Sequence, residues 1–147
     1  MTSVFMKAAL DEAVEALVHD DVPVGAVLVK NGSIVSRNHN RKEVSKNACA
    51  HAELLVLQDA FEYEKDWRLT DYDLYSTLEP CVMCAGAIMH ARIKKVVFSA
   101  WDFKWGGFGS QFNLNDSDLN HSLELVYEES VFYQDLLKRF FKDRRST

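Results

Sequence analysis

The sequence predicts an α/β fold in which a mixed sheet of about five strands is covered by helices on both faces. The first segment has helical periodicity, two β-rich runs then enclose an Asn-Gly pair, and strand-like and helix-like runs alternate afterwards. Strands separated by helices favour parallel pairing, with the helices packed on the two sides of the sheet. Since 147 residues is a usual size for one domain, we expect a single domain over residues 1–147.

The N-terminal third predicts a helix followed by a hairpin. Apolar residues recur at helical spacing from Ser3 to His19, with Thr2 or Ser3 available as N-cap, and residues 20–23 end the helix. The β-rich runs 24–29 and 33–36 flank Asn31-Gly32, a pair typical of tight hairpin turns because both central positions need positive φ. Residues 37–50 are polar and are predicted to be irregular.

The remaining elements alternate. A nearly all-apolar stretch from about His51 to Phe61 predicts a buried helix. Pro80 is suited to the first turn of another helix, which runs to about Ala91, because its missing N–H costs nothing there. The other predicted elements are strands at 73–78, 96–100 and 123–127, a Gly- and Asn-rich loop at 101–121, and a helix at 130–143.

Composition excludes several classes of protein. With 48% hydrophobic residues, 27% charged residues, 6 Gly and 2 Pro, the chain is neither collagen-like nor disordered. No apolar run approaches the ~18 residues of a membrane span, and charged residues interrupt the N-terminal apolar positions, unlike a signal peptide. Three cysteines are too few, and odd in number, for a disulfide framework. We therefore expect a soluble, cytoplasmic protein with reduced thiols and no membrane association.

Charge is distributed unevenly along the chain. The net charge is −5, which argues against a general nucleic-acid binder, but residues 138–147 alone sum to +4. Phe140 and Phe141 lie within this basic segment, and rings beside cations suit an RNA loop with unstacked bases. The alternative is a solvated helix end, where basic residues complement the helix dipole.

Two short motifs carry the candidate chemistry: His51-Ala52-Glu53 and Pro80-Cys81-Val82-Met83-Cys84. Each lies at the predicted start of a helix, where free N–H groups and the helix dipole favour thiolate. Two thiolates and an imidazole are ligands that Zn²⁺ takes, and a catalytic zinc keeps its fourth position for water. Glu53 is then placed to transfer protons beside the metal. Alone, Cys-x-x-Cys also fits a redox pair or half of a structural zinc site. Cys49 is either a fourth ligand or, as we favour, a small packing residue.

The two motifs resemble the H-x-E…P-C-x-x-C signature of the zinc-dependent nucleobase deaminases. Beyond them, the sequence is similar to the bacterial tRNA-specific adenosine deaminases over nearly its whole length. The similar segments are 22–27, 40–41, 50–53, 77–87, 91–93, Asp102, Lys104, 109–110, 119–121 and 140–142. The resemblance implies a three-layer α/β/α cytidine-deaminase-like fold and a homodimer with active sites close to the subunit interface.

The resemblance also implies an activity and a set of site residues. His51, Cys81 and Cys84 would hold one Zn²⁺ per chain, which would present hydroxide to C6 of the wobble adenosine in a tRNA anticodon stem-loop. Glu53 would move the protons as ammonia leaves and inosine forms. Asn40 is expected to hydrogen-bond the flipped base, and the backbone around Ala52 and Cys81 to complete the pocket. The full set of expected substrate-binding residues is Val24, Asn40, Ala52, Pro80, Asp102, Lys104, Phe140, Phe141 and Arg144.

Two other functions remain open. One is deamination of a free nucleobase or nucleoside such as guanine, cytosine or adenosine, and the other is a non-catalytic, zinc-stabilised RNA-binding subunit. The chain also departs from the family: Trp101 stands where arginine is common, and Trp105 and Phe108 replace smaller residues. These additional rings either stack on the substrate or pack at a dimer interface.

Overall fold

The computed structural model describes residues 2–145, which contain one five-stranded mixed sheet. Its strands are β1 (Gly25–Lys30), β2 (Ser33–His39), β3 (Tyr72–Ser76), β4 (Lys95–Phe98) and β5 (Glu124–Tyr127), arranged in the order β2-β1-β3-β4-β5. β1 runs antiparallel to both β2 and β3, whereas β3, β4 and β5 are parallel. The predicted α/β class and partly parallel sheet are confirmed.

The helices of the described residues are α1 (Val4–Ala16), α2 (Lys42–Ser45), α3 (Ala52–Glu64), α4 (Val82–His90) and α5 (Val131–Arg145). Short 3-10 turns occur at Leu17–His19 and Leu114–Asp116. Within residues 2–145, every helix is too short or too polar to cross a bilayer.

Strand side chains alternate between two apolar cores, which produces three layers. On β1, Ala26 and Leu28 lie in the core that contains residues of α3 and α4. Val27 and Val29 lie in the opposite core, which contains α1 and Tyr133 of α5. The same alternation holds for Leu74 and Tyr75 on β3, and for Val96 and Val97 on β4. The sheet is thus covered on both faces, in the three-layer α/β/α arrangement that the family resemblance implied.

The hairpin turn has the predicted geometry, with φ of 51° at Asn31 and 76° at Gly32. β2 extends to His39 instead of ending at Ser36, and Asn38 pairs with Ala26 of β1. The prediction ended too early because β2 is an edge strand, where polar side chains are compatible with pairing on one side only. Part of the segment predicted to be irregular therefore belongs to the sheet, and another part forms α2.

The helix starts depend on local caps. Ser3 is the N-cap of α1, and its Oγ accepts a hydrogen bond from the N–H of Met6 at 3.2 Å. The sequence predicted Pro80 in the first turn of α4, and this prediction was wrong. Cys81 is the N-cap, with an extended backbone, and the helix begins at Val82. Residues 79 and 80 precede the helix, because the β-bridge between Cys81 and Gly106 keeps Cys81 extended.

Gly25 permits the close approach of α1 to the sheet. A Cβ at this position would lie 2.0 Å from the carbonyl oxygen of Ala9 and 2.5 Å from the nitrogen of Ala13. Any larger residue would push the helix away from the strand, since backbone atoms cannot yield as a flexible side chain does.

Candidate metal centre and its surroundings

Three side chains from two helix starts form a compact group. His51 is the N-cap of α3, Cys81 is the N-cap of α4, and Cys84 lies in the first turn of α4. The Nδ1 atom of His51 is 3.6 Å from the Sγ of Cys81 and 3.5 Å from the Sγ of Cys84. The ligand atoms of all three residues lie within 4.8 Å of one another.

The donor set and its spacing fit a zinc ion. Zn–S bonds of ~2.3 Å and Zn–N bonds of ~2.0 Å in a tetrahedron place nitrogen and sulfur about 3.5 Å apart, in agreement with the two Nδ1–Sγ separations. In the described part of the chain, no fourth His, Cys, Asp or Glu belongs to this group. Three protein ligands are typical of a catalytic zinc site, which keeps its fourth position for water, whereas a structural site uses four protein ligands.

The three side chains of this group influence one another's protonation. The interaction between the two cysteines lowers the pKa of Cys81 to about 4 and raises the pKa of Cys84. The hydrogen bond with Cys81 also raises the pKa of His51. Since zinc binds thiolates and a neutral imidazole, metal binding must release these protons and is favoured by higher pH.

Glu53 is a buried carboxyl group in the first turn of α3, with 3% of its surface exposed. Burial raises its pKa to about 7, an effect that the nearby His51 only partly offsets. An acid with a pKa near neutrality both accepts and donates protons at physiological pH, as proton transfer in catalysis requires.

Asn40 connects two of the predicted pocket segments. Its Oδ1 accepts a hydrogen bond from the N–H of Ala52 at 2.9 Å, and its own N–H donates to the carbonyl of Val24 at 3.0 Å. Val24, Asn40 and Ala52 are all buried beside the N-terminus of α3. The N–H of Ala52 is therefore satisfied within the chain, by the Oδ1 of Asn40.

Pro80, Asp102 and Lys104 belong to two segments that contact each other, the turn before α4 and the loop after β4. The carbonyl of Pro80 accepts a hydrogen bond from the N–H of Gly107 at 2.9 Å. The carboxylate of Asp102 accepts from the N–H groups of Lys104 and Trp105, both at 3.2 Å, and partial burial raises its pKa. These contacts place the loop after β4 next to Cys81.

The predicted C-terminal contact residues lie at the end of α5. The guanidinium of Arg144 is 4.6 Å from the ring centroid of Phe140 and forms an ion pair with Asp20. The rings of Phe140 and Phe141 pack edge to face at 5.4 Å. These contacts hold the end of α5 beside the turn that follows α1. The side chain of Arg145 and residues 146–147, the last of the basic segment, lie outside the described residues.

The additional aromatic residues have different environments. Trp101 stacks on Tyr127 with a centroid distance of 5.2 Å, and Phe108 is 2% exposed in the core. Trp105 is 65% exposed. Of these three rings, therefore, Trp105 is the one most available to a partner. Cys49 is exposed and outside the metal group, so its interpretation as a packing residue was wrong.

Sequence reasoning missed two buried polar residues near the site, Ser76 and Glu79. Ser76 ends β3 near Glu53, and its hydroxyl donates to the carbonyl of Leu78 at 2.7 Å. Glu79 is 1% exposed and accepts hydrogen bonds from the loop after β4. The only available signal was an acidic residue in an otherwise apolar stretch, next to Pro80 and Cys81.

Residues 1–100 match the family model of the cytidine and deoxycytidylate deaminase zinc-binding region, the class of enzyme that this fold and donor set define. The chain is 43% identical over 145 residues to a tRNA-specific adenosine deaminase of Bacillus subtilis, covering 96% of this chain and 89% of the relative. It is 44% identical over 143 residues to a tRNA-specific adenosine deaminase of Aquifex aeolicus, covering 97% and 95%. Within the deaminase class, the chain belongs to the tRNA-specific adenosine deaminase family.

Solved structures have the same fold. One, from work on A-to-I editing by tRNA:A34 deaminases at the wobble position, has a TM-score of 0.81 and 40% identity and covers 84% of this chain and 96% of that chain. A guanine deaminase from Bacillus subtilis has a TM-score of 0.66 and 29% identity and covers 99% and 95%.

Proposed function

We propose that this protein converts the wobble adenosine of a tRNA anticodon to inosine with release of ammonia, using one zinc ion per chain. The observation that carries the proposal is the juxtaposition of the His51, Cys81 and Cys84 ligand atoms with a buried Glu53 on the same helix as His51. Relatives more than 40% identical over nearly their whole length are named tRNA-specific adenosine deaminases, which supports this substrate.

The reaction requires a nucleophile and a proton carrier. His51, Cys81 and Cys84 would hold the zinc ion, which would make a water molecule acidic enough to act as nucleophile near neutral pH. Glu53 takes one proton from the attacking water and gives it to N1 of adenine. It then takes the second proton from the new hydroxyl group at C6 and delivers it to the departing amino group. A buried carboxyl group in this position is suited to both accepting and donating a proton.

Binding of the base is assigned to residues around the N-terminus of α3. Val24, Ala52 and Pro80 supply a buried, mainly apolar wall, and the Nδ2 of Asn40 donates to a ring nitrogen or ribose oxygen. Asp102 and Lys104 contact the nucleotides that flank the target. Phe140, Phe141 and Arg144 contact the rest of the anticodon loop from the end of α5.

Assembly and location are proposed on the family resemblance alone. The protein forms a homodimer and acts in the cytoplasm, where its tRNA substrate is available.

Deamination of a free base is the second candidate, because a guanine deaminase shares the fold at 29% identity. Ammonia release is to be measured from an anticodon stem-loop and from free adenosine, guanine and cytosine at equal concentrations. We expect release from the stem-loop only. Release from a free base without activity on the stem-loop would show that the free base is the substrate. If zinc-loaded protein is inactive on every substrate, a non-catalytic RNA-binding role would be the remaining function.

The control variants lie on one helix. Glu53→Gln removes the proton carrier, whereas Glu62→Gln changes the same residue type at an exposed position of α3. We expect the first variant to lose turnover by at least about a hundredfold and the second to retain it.

A further inference from the structure

We propose that Glu79 is a positioning residue that holds the loop Asp102–Ser110 in the shape needed to bind the tRNA substrate. The proposal rests on the proposed function and adds to it a residue that touches neither the metal nor the base. Its basis is a buried carboxylate whose observed partners all belong to this one loop.

The carboxylate of Glu79 collects hydrogen bonds from both ends of the loop. Oε1 accepts from the N–H of Asp102 at 3.0 Å and from the hydroxyl of Ser110. Oε2 accepts from the N–H groups of Phe108 and Ser110, both at 3.1 Å. Residues 23 to 31 positions away in sequence are thus tied to one side chain that is 1% exposed.

These partners indicate that Glu79 fixes the backbone conformation of the loop and does not neutralise a cation. Within residues 2–145, no ion pair involves Glu79, and a buried carboxylate without a cation is stable only when N–H and O–H donors satisfy it. The loop also encloses the carboxylate closely, because a Cβ on Gly106 would lie 2.4 Å from it. Gly106 and Glu79 therefore fit each other as a pair.

The same loop contacts the turn that carries the metal ligands. The N–H of Val82 donates to the carbonyl of Trp105 at 2.8 Å, and the N–H of Gly107 donates to the carbonyl of Pro80 at 2.9 Å. Residues 80–82 and 105–107 therefore lie side by side. Glu79 fixes the second of these segments relative to the first.

The loop Asp102–Ser110 exposes side chains of the kinds that bind single-stranded RNA. Phe103 is 75% exposed and Trp105 is 65% exposed, and Lys104 lies between them. Exposed rings stack on unpaired bases and a lysine contacts phosphate, so this loop provides a surface for the nucleotides beside the target adenosine. Loss of Glu79 is therefore expected to weaken substrate binding more than the chemical step.

Glu79→Gln tests the idea with minimal change in shape. An amide has one acceptor oxygen, so in either orientation its NH₂ group faces at least one backbone N–H of the loop. We expect KM for an anticodon stem-loop to rise about tenfold or more, with kcat within about twofold of wild type and an unchanged zinc content. Trypsin should also cleave after Lys104 faster than in wild type. Glu62→Gln, an exposed change of the same kind, is the control and should alter none of these quantities.

A second variant keeps the test valid if Glu79→Gln does not fold. Ser110→Ala removes only the hydroxyl donor, and we expect a smaller rise in KM, about twofold to threefold. Unchanged KM in both variants, or loss of zinc and kcat at constant KM, would overturn the positioning role. If wild type itself forms no inosine, the proposed function fails, and faster cleavage after Lys104 in the variants would still support the loop-holding part alone.

Discussion

Burial of the Glu53 carboxyl predicts a measurable pH dependence of stability in the metal-free protein. Its pKa rises from 4.5 to about 7 on folding because the side chain is removed from water. Between these values the native state binds more protons than the unfolded state, so stability is greatest below pH 4.5 and falls as pH rises through 7.

The size of this effect follows from the two pKa values. The difference between 4.5 and about 7 corresponds to about 3 kcal/mol of unfolding free energy at pH 8. Glu53→Gln removes the titration while keeping the shape of the side chain. We therefore expect the difference in unfolding free energy between the variant and wild type to shift by about 3 kcal/mol in favour of the variant as pH rises from 4.5 to 8. For a chain of this length, this corresponds to about 6–12 °C in melting temperature.

Urea or thermal unfolding of chelator-treated wild type and Glu53→Gln at pH 4.5, 6, 7 and 8 measures the difference. A difference between the two proteins that stays constant within about 1 kcal/mol from pH 4.5 to 8 would show that burial does not control this carboxyl group.

Three further substitutions test separate parts of the structure. Cys84→Ser replaces a thiolate ligand with a hydroxyl that zinc binds poorly, so metal analysis should find much less zinc and no deamination; full zinc content would exclude this ligand. Gly25→Ala forces a Cβ to within 2.0 Å of the carbonyl of Ala9 and should lower the free energy of unfolding by about 3 kcal/mol, as urea denaturation will test. Asn40→Ala leaves the buried N–H of Ala52 without an acceptor and should lower the free energy of unfolding by about 1–3 kcal/mol. It should also weaken binding of the base. A variant as stable as wild type would contradict the structural role of Asn40.

Local sequence signals predicted the sheet and most of its helices correctly. The Asn31-Gly32 turn was recognisable because asparagine and glycine are the residue types that most readily adopt the positive φ needed at both positions. The end of β2 was missed because its pairing with β1 depends on the edge of the sheet and not on its own polar side chains. The position of Pro80 was missed for a similar reason, since the bridge between Cys81 and Gly106 extends the chain there.

The site was only partly accessible to the same reasoning. Helical spacing places Cys81 near Cys84, but the 3.5 Å approach of His51 to Cys84 depends on two helices that start at the same edge of the sheet. Glu79 was missed because its partners lie 23 or more residues away and have no recognisable spacing. Cys49 was assigned to the interior from its residue type alone, and residue type does not determine burial on a loop.

Nucleoside mass analysis of tRNA incubated with wild type or Glu53→Ala measures the proposed reaction at the proposed position. We expect inosine at the wobble position with zinc-loaded wild type and none with the variant, whose zinc content should match that of wild type. Inosine formed equally by both proteins would contradict the role of Glu53, and its absence with zinc-loaded wild type would contradict the proposed substrate.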